Sequence, residues 1–144
     1  MRLTISENEY ERRLESLRKR LAKRRLDALY LTSGTSFFYL TGYSYITTER
    51  PAALILPVDG DIAFLGPALE RDHIPLKTKL IKNVLTYLDY PGQKHPIDHF
   101  AAFLKELGLD HKRIGIDNPA RAAGMWGYRG PPIRKRLPTA KFVL

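Results

Sequence analysis

Apolar residues recur along this chain with two different periods, and the changes between them predict alternating helices and strands. Between Ser6 and Arg24 the apolar positions lie three or four residues apart, which is typical of one buried face of a helix. Ser6 and Glu9 have the spacing of a capping box, in which a hydroxyl accepts a hydrogen bond from a backbone N–H at the helix start. The predicted buried stripe comprises Tyr10, Leu14, Leu17, Leu21 and Leu26.

Short, continuous apolar runs predict the strands. We expect them at residues 27–31, 52–56, 62–65, 83–88, 113–117 and 140–144. The Asp59-Gly60 pair between the second and third runs suits a turn that needs positive φ, so these two strands are predicted to form an antiparallel hairpin. Because helical patterns separate the other strands, we predict an α/β protein with a mixed sheet flanked by helices.

Three helices are predicted between the later strands. The first covers residues 68–76 and is cut short by Pro75. Pro96 suits the first turn of the second, which is expected to end at Gly108. A weak third helix is predicted at residues 119–128. The inward-facing side chains of the first are predicted to be Leu69, His73 and either Ile74 or Leu76.

Residues 33–43, closed by residues 49–51, are predicted to form the segment around which the chain is organised. A hydroxyl is expected to cap a short helix that begins at Thr35 or Ser36. Gly42 should end this helix, because glycine reaches positive φ without steric penalty. The resulting turn is predicted to hold Tyr43 and Tyr45 outward, facing a partner or ligand. Core and turn positions are assigned to Tyr39, Leu40 and Gly42.

The net charge of +9 raises the hypothesis of nucleic-acid binding, since basic clusters gain affinity for phosphate by releasing counterions. From Arg2 to Arg25 the chain holds seven Arg and two Lys against four Glu, an interleaving that is typical of a solvated, salt-bridged helix. A purer basic cluster follows Asp117 and is interpreted as an exposed tail or a surface for an acidic partner. This cluster comprises Arg129, Arg134, Lys135, Arg136 and Lys141.

The residues themselves do not predict catalysis. The chain has no cysteine, so thiolate chemistry, disulfides and cysteine-based zinc sites are excluded. His95 and His99 have a metal-ligand spacing, but no third ligand is suggested, and a surface helix start is the preferred interpretation. No nucleophile elbow or phosphate-binding glycine loop is present. We therefore predict no catalytic residue and no metal ligand in this chain.

Length and composition favour one domain, residues 1–144, with 44% hydrophobic residues to form a core. No apolar run approaches the roughly 20 residues that cross a bilayer, and the N-terminus is charged, so a cytoplasmic protein without membrane contact is expected. The chain ends on the apolar strand Phe142-Val143-Leu144. We therefore expect it to be the N-terminal part of something longer.

Several segments, taken in order, carry a resemblance to a known family. They are the amphipathic first helix, Leu26-Asp27-Ala28-Leu29, Tyr39-Leu40-Thr41-Gly42-Tyr43, Arg50-Pro51, Leu54-Ile55-Leu56-Pro57, Asp59-Gly60, Arg113-Ile114-Gly115-Ile116-Asp117 and the stretch from Leu137 to Val143. Together they resemble the N-terminal domain of the creatinase/prolidase/aminopeptidase P family, over nearly the whole chain.

The resemblance implies a ribonuclease H-like α/β fold and a separate "pita-bread" catalytic domain beyond Leu144. In that family two divalent metal ions (Mn, Co or Zn) are held by two Asp, one His and two Glu of the catalytic domain, so no ligand is carried over to this chain. What it implies here is a noncatalytic role in a metal-dependent Xaa-Pro dipeptidase or aminopeptidase. That role consists of dimer or higher oligomer contacts and a wall that limits the access of proline-containing peptides.

The resemblance implies that the access wall comes from the loops around Ser33 to Arg50, with Asp89-Tyr90-Pro91 as a further candidate. The wall residues expected there are Tyr43, Tyr45, Arg50 and Tyr90. Exposed aromatics and an arginine could pack on a peptide and pair with its terminal carboxylate. Ordinary loop surface is an equal alternative for Tyr43, Tyr45, Glu49 and Arg50. Arg50 could instead form a salt bridge with Glu49 or Asp89.

Other interpretations stay open for the protein as a whole. The full-length protein could act on Xaa-Pro dipeptides, on longer Xaa-Pro peptides or on creatine, or could be an inactive homologue. A basic nucleic-acid-binding module, which the charge distribution disfavours, and a stand-alone dimerisation module are the alternative functions.

Overall fold

A six-stranded mixed sheet forms the centre of the fold, with the strand order β4-β3-β2-β1-β5-β6. The computed structural model describes residues 4–46, 50–88, 94–118 and 130–144. The strands are β1 Ala28–Leu31, β2 Ala53–Pro57, β3 Ile62–Pro67, β4 Ile81–Tyr87, β5 Arg113–Ile116 and β6 Lys141–Val143. The helices are α1 Glu7–Lys23, α2 Gly34–Thr41, α3 His73–Lys77, α4 Pro96–Glu106 and α5 Ile133–Arg136, and a 3-10 turn spans Ala68–Glu70.

Strand pairing confirms the predicted mixed sheet. β1 pairs antiparallel with β2 and parallel with β5, and β2 pairs antiparallel with β3 across the Asp59-Gly60 hairpin. The pairs β3–β4 and β5–β6 are parallel. β1 therefore lies inside the sheet between an antiparallel and a parallel neighbour, and its C-terminal end lies at the same edge as that of β5.

The sheet separates two hydrophobic cores, because successive side chains of a strand point to opposite faces. Tyr30 of β1 belongs to the core under α4 and α5, with Phe100, Leu104 and Ile133. Leu31, the next residue, belongs to the core under α1, α2 and α3. Both faces of the central strands are therefore buried, as their continuous apolar runs predict.

Helix α1 confirms the predicted charged, amphipathic helix. The backbone N–H of Glu9 donates to Ser6 Oγ over 3.2 Å, while the Glu9 carboxylate pairs with Arg12 and Arg13. Leu14 and Leu21 are buried beneath the helix. Across the described ranges, no helix combines the length and the apolarity that crossing a bilayer requires.

The predicted single helix at residues 68–76 is wrong. A 3-10 turn at Ala68–Glu70 is followed by a separate helix, α3, whose third residue is Pro75. A continuous helix would place the Pro75 ring against the carbonyl four residues earlier, whereas the first turn of a new helix tolerates proline. Ile74 is fully buried, but Leu69, His73 and Leu76, all named as inward-facing candidates, are exposed.

Helix α5 was not predicted, because the basic residues around it were interpreted as an exposed tail. Ile133 and Leu137, four residues apart, are both buried against α4. Arg136 Nε lies 3.1 Å from the Asp98 carboxylate. The helix predicted at residues 119–128 lies outside the described residues.

Gly42 ends α2 as predicted, and we expect its replacement by alanine to destabilise the fold. Its φ is 76°, and an added Cβ would lie 2.9 Å from the Tyr10 hydroxyl. Gly108 has nearly the same φ of 73° but open space around it. We expect Gly42→Ala and Gly108→Ala each to cost about 1 kcal/mol through backbone strain at positive φ. The contact at Gly42 should add little, because the end of the Tyr10 side chain can move aside. Urea unfolding measures both losses, and two variants as stable as the wild type would contradict the backbone argument.

The pair of arginines beside Glu9 predicts an acid-sensitive start of α1. Hydrogen bonds from Arg12 and then Arg13 lower the pKa of Glu9 from 4.5 to about 2. Since the pKa is lower in the folded state, the stabilisation is present above pH 4.5 and is lost as the pH falls through about 2. A carboxyl NMR titration should give a Glu9 midpoint near 2, which should rise toward 4.5 in Arg12→Gln/Arg13→Gln. A wild-type midpoint near 4.5 would overturn this assignment.

Candidate functional site

The candidate site is the loop that follows α2, and Asp117 fixes where α2 begins. The Asp117 carboxylate accepts hydrogen bonds from Thr32 N at 2.8 Å, Thr32 Oγ1 at 3.0 Å and Ser33 N at 3.1 Å. This carboxylate follows β5, so it joins the C-terminal ends of the parallel strands β1 and β5. The predicted hydroxyl cap is wrong: α2 begins at Gly34, and the Ser33 side chain makes no capping bond in the described structure.

An aromatic cluster anchors the loop onto the sheet. Phe64 of β3 lies at its centre and makes edge-to-face contacts with Phe37, Tyr43 and Tyr45 at centroid distances of 6.1, 5.8 and 5.7 Å. Tyr43 and Tyr45 also stack on each other at 6.3 Å. Such pairs each add about 0.5–1.5 kcal/mol beyond the apolar area that they bury. The loop is therefore held by packing over residues 43–45.

The predicted outward orientation of Tyr43 is wrong, because its side chain is only 2% exposed. Its hydroxyl donates a hydrogen bond to the Glu70 carboxylate, and His73 Nδ1 lies 3.7 Å from the same oxygen. Burial, and then the bond to Glu70, raise the pKa of Tyr43 far above its usual range. The phenol therefore stays protonated and acts as a hydrogen-bond donor that ties the loop to the 3-10 turn.

Tyr45 and Arg50 lie nearer the surface. The Tyr45 ring is half-buried, and its hydroxyl donates to the Arg50 carbonyl over 3.2 Å, while Arg50 itself is exposed. The hydroxyl of Tyr87 donates to the neighbouring Pro51 carbonyl over 2.9 Å. The Tyr45 and Tyr87 hydroxyls thus fix the backbone at Arg50 and Pro51, from which the Arg50 side chain extends. Tyr90 and both predicted acidic partners of Arg50 lie outside the described residues.

Two further aromatics of α2, Phe38 and Tyr39, face away from the core. Tyr39, which was assigned to the core and turn, is 55% exposed, so that assignment is wrong. Its ring covers the Arg13 guanidinium at 4.3 Å, and its carbonyl accepts from Arg13 over 2.9 Å. Leu40 is buried as predicted.

His95, which precedes α4, and His99, within it, make structural contacts and share no ligand geometry. His95 Nδ1 accepts from Ile97 N over 3.2 Å and so caps the helix. The His99 ring stacks on Tyr87 at 6.3 Å and lies 6.1 Å from Phe103. Burial lowers the pKa of both rings. Among the residues that the structure describes, no group of three or more His, Cys, Asp or Glu side chains could hold a metal ion.

Sequence reasoning missed the two acidic residues that position the loop. Asp117 was interpreted as the end of a strand, and Glu70 was not singled out. A carboxylate directly after a parallel strand is a signal that could have identified Asp117, since neighbouring parallel strands end at one edge. Glu70 carries no such signal, because its partner lies 27 residues earlier in the chain.

A family model described as the creatinase/prolidase N-terminal domain matches residues 13–143. The chain belongs to this family. An uncharacterized peptidase of Staphylococcus haemolyticus is 31% identical over 106 residues, which cover 70% of this chain and 29% of that relative. The chain thus spans less than a third of the length of the curated relatives it matches.

Solved structures agree with this creatinase N-terminal fold. The N-terminal domain of a Xaa-Pro dipeptidase from Lactobacillus brevis is 28% identical with a TM-score of 0.63, over 73% of this chain and 75% of that chain. A dipeptidase, PepE, from Mycobacterium ulcerans has a TM-score of 0.73 at 22% identity, over 98% of this chain and 36% of that chain, and it shows the fold alone. The predicted α/β class with a mixed sheet is confirmed.

We expect Tyr43→Phe to destabilise the domain more than Tyr45→Phe. The first removes a donor from a carboxylate that is only 12% exposed, and a hydrogen bond to a charged group contributes about 1.5–3 kcal/mol. The second removes an exposed bond to a carbonyl and should cost less than about 1 kcal/mol. Both variants keep the ring packing, and urea unfolding compares them. Equal losses would contradict a tethering role for Tyr43.

Proposed function

We propose that this chain is the noncatalytic N-terminal domain of a metal-dependent Xaa-Pro dipeptidase or aminopeptidase. The observation that carries this proposal is the family match over residues 13–143. Two further observations support it: the matched relatives are described as peptidases, and the chain covers 28–29% of their length. The remaining length leaves room for a separate catalytic domain, with which this domain would associate.

The metal ions belong, in this proposal, to that catalytic domain. Two divalent ions, Mn, Co or Zn, would activate the water that hydrolyses the bond before proline. The described residues of this chain do not fit such a centre, since they include no cluster of three candidate ligands. His95 Nδ1 is also engaged by the backbone of α4. No catalytic step is therefore assigned to this chain.

We propose that Tyr45 and Arg50 contribute to a wall that limits substrate access, with Tyr90 as a further predicted member. Arg50 is exposed, and hydrogen bonds from the Tyr45 and Tyr87 hydroxyls fix the backbone at Arg50 and Pro51. The guanidinium therefore extends from an ordered backbone and could pair with a peptide carboxylate. Tyr43 would act indirectly by holding the loop in place. The same proposal includes a cytoplasmic homodimer or higher homo-oligomer and a proline-containing peptide substrate.

The alternative of nucleic-acid binding has less support from the arrangement of charges. Arg12 and Arg13 pair with Glu9, Arg136 pairs with Asp98, and Arg18 donates to backbone carbonyls. These four arginines are thus already engaged within the fold. A large, salt-dependent affinity for duplex or single-stranded nucleic acid would favour this alternative.

The proposed access wall can be tested by substitutions in the longer protein that contains both this chain and the proposed catalytic domain. We expect Arg50→Ala and Tyr45→Ala to change KM for tripeptides relative to dipeptides by roughly two- to fivefold, since an exposed charge contact contributes about 0.2–1 kcal/mol. Metal content and kcat should stay unchanged.

Two matched variants control for general effects. Arg134→Ala removes an exposed arginine from α5, and Tyr39→Ala removes an exposed aromatic beside α1. Both should leave the ratio of KM values unchanged. Unaltered kinetics in Arg50→Ala and Tyr45→Ala would reduce these residues to loop surface, and absence of Xaa-Pro hydrolysis in the wild-type protein would refute the proposed activity.

A further inference from the structure

A wide groove runs between α1 and the segment that contains α3 and the start of β4. Its volume is about 1070 Å³, which exceeds the roughly 300–1,000 Å³ of small-molecule pockets. Leu14, Ile62 and Leu80 contribute apolar surface to it. Ile5, Phe38 and Leu76, which also line the groove, are 40%, 49% and 79% exposed. The groove therefore has the size and the apolar surface to receive a secondary-structure element.

The two walls of this groove carry mainly opposite charges. Arg18 and Asp61 also line the groove, and Arg18 donates to the Pro57 and Gly60 carbonyls. Glu7, Glu11 and Glu15 line the α1 wall, and all three are exposed. Lys77, Lys79 and Lys82 line the facing wall and are exposed as well. Lys82 belongs to β4, at one edge of the sheet.

Most of these charges have no salt bridge within the described part of the chain. Glu15 pairs with Lys19, but no ion pair in the described residues involves Glu7, Glu11, Lys77, Lys79 or Lys82. Elsewhere on α1, Glu9 is fully engaged by Arg12 and Arg13. Exposed charges without an ion pair also occur elsewhere on the described surface, for example at Lys105 and Lys112. On these two walls, however, charges of opposite sign face each other across the groove, where a molecule lying in it would meet them.

The occupant of such a groove has to carry both signs of charge. A polyanion such as nucleic acid would be repelled by the α1 wall, and a polycation would be repelled by the lysine wall. A surface with the same two stripes, turned by 180°, matches both walls at once. A two-fold symmetric interface has this property by construction, because each patch faces its own copy in reversed order.

We propose that a second copy of this chain docks here, with α1 of each copy lying in the groove of the other. Glu7 and Glu11 of one copy then face Lys77 and Lys79 of its partner, and the same contacts recur across the two-fold axis. Ile5, Phe38 and Leu76 supply the apolar contact between them. This inference rests on the part of the proposed function that assigns oligomer contacts to this domain, and it names the surface.

Charge reversal on each wall tests the interface by sedimentation equilibrium. We expect the wild-type chain to dimerise with a Kd of about 1–100 µM. E7K/E11K and K77E/K79E each place like charges together at both symmetric halves, so each should weaken self-association by about 100-fold. An equimolar mixture of the two variants should dimerise with nearly wild-type affinity, because reversed charges then face reversed charges.

The mixture is also the control for folding, since unfolded variants would not restore each other. K105E/K112E makes the same change of charge at exposed lysines outside the groove and should leave the Kd unchanged. A wild-type chain that stays monomeric at about 1 mM, or a dimer insensitive to both wall variants, overturns the inference. Neither result affects Xaa-Pro hydrolysis or the kinetics of Arg50→Ala. The proposed interface and the proposed function can therefore be refuted independently.

Discussion

The contact of the Asp117 carboxylate with Thr32 and Ser33 is the interaction on which the candidate site depends. At the opposite end of the same strand pair, the Asp27 carboxylate accepts from Arg113 N over 2.8 Å. Two carboxylates therefore hold β1 and β5 in register at both ends. Because α2 starts directly after Ser33, the carboxylate of Asp117 also sets the direction in which α2 and the following loop leave the sheet.

After α2, a series of packing contacts fixes the loop and gives Tyr43 and Tyr45 different roles. Phe37 of α2 and Phe64 of β3 form the apolar base, and Tyr43 is buried on it with its hydroxyl on Glu70. Tyr45 lies further out and supports the backbone of Arg50. The buried phenol of Tyr43 provides rigidity, and the half-buried Tyr45 contributes surface. In the proposed access wall, Tyr45 and Arg50 would thus project from a backbone that is already immobilised.

Sequence patterns predicted the strands, the hairpin and helices α1 and α4, because these elements depend on local periodicity and on local signals such as Pro96. They failed where a contact distant in sequence decides the outcome. Tyr43 faces inward because Glu70 offers its hydroxyl a partner, and Ile133 begins a helix because α4 buries it with Leu137. The candidate site stays a prediction, and which of the tyrosines in its loop is exposed depends on the tertiary packing.

The contacts of the charged residues indicate which charges are engaged within the fold and which remain to meet a partner. A net charge of +9 alone suggests an acidic partner, yet the arginines of α1 are largely engaged by Glu9, by Tyr39 and by backbone carbonyls. What is left unpaired on this face is a stripe of each sign, with an apolar strip between the stripes. Since screened, exposed charges contribute little energy individually, such stripes act mainly by excluding partners of the wrong pattern. The face between α1 and α3 therefore selects a partner by the order of its charges and gains affinity from the apolar strip.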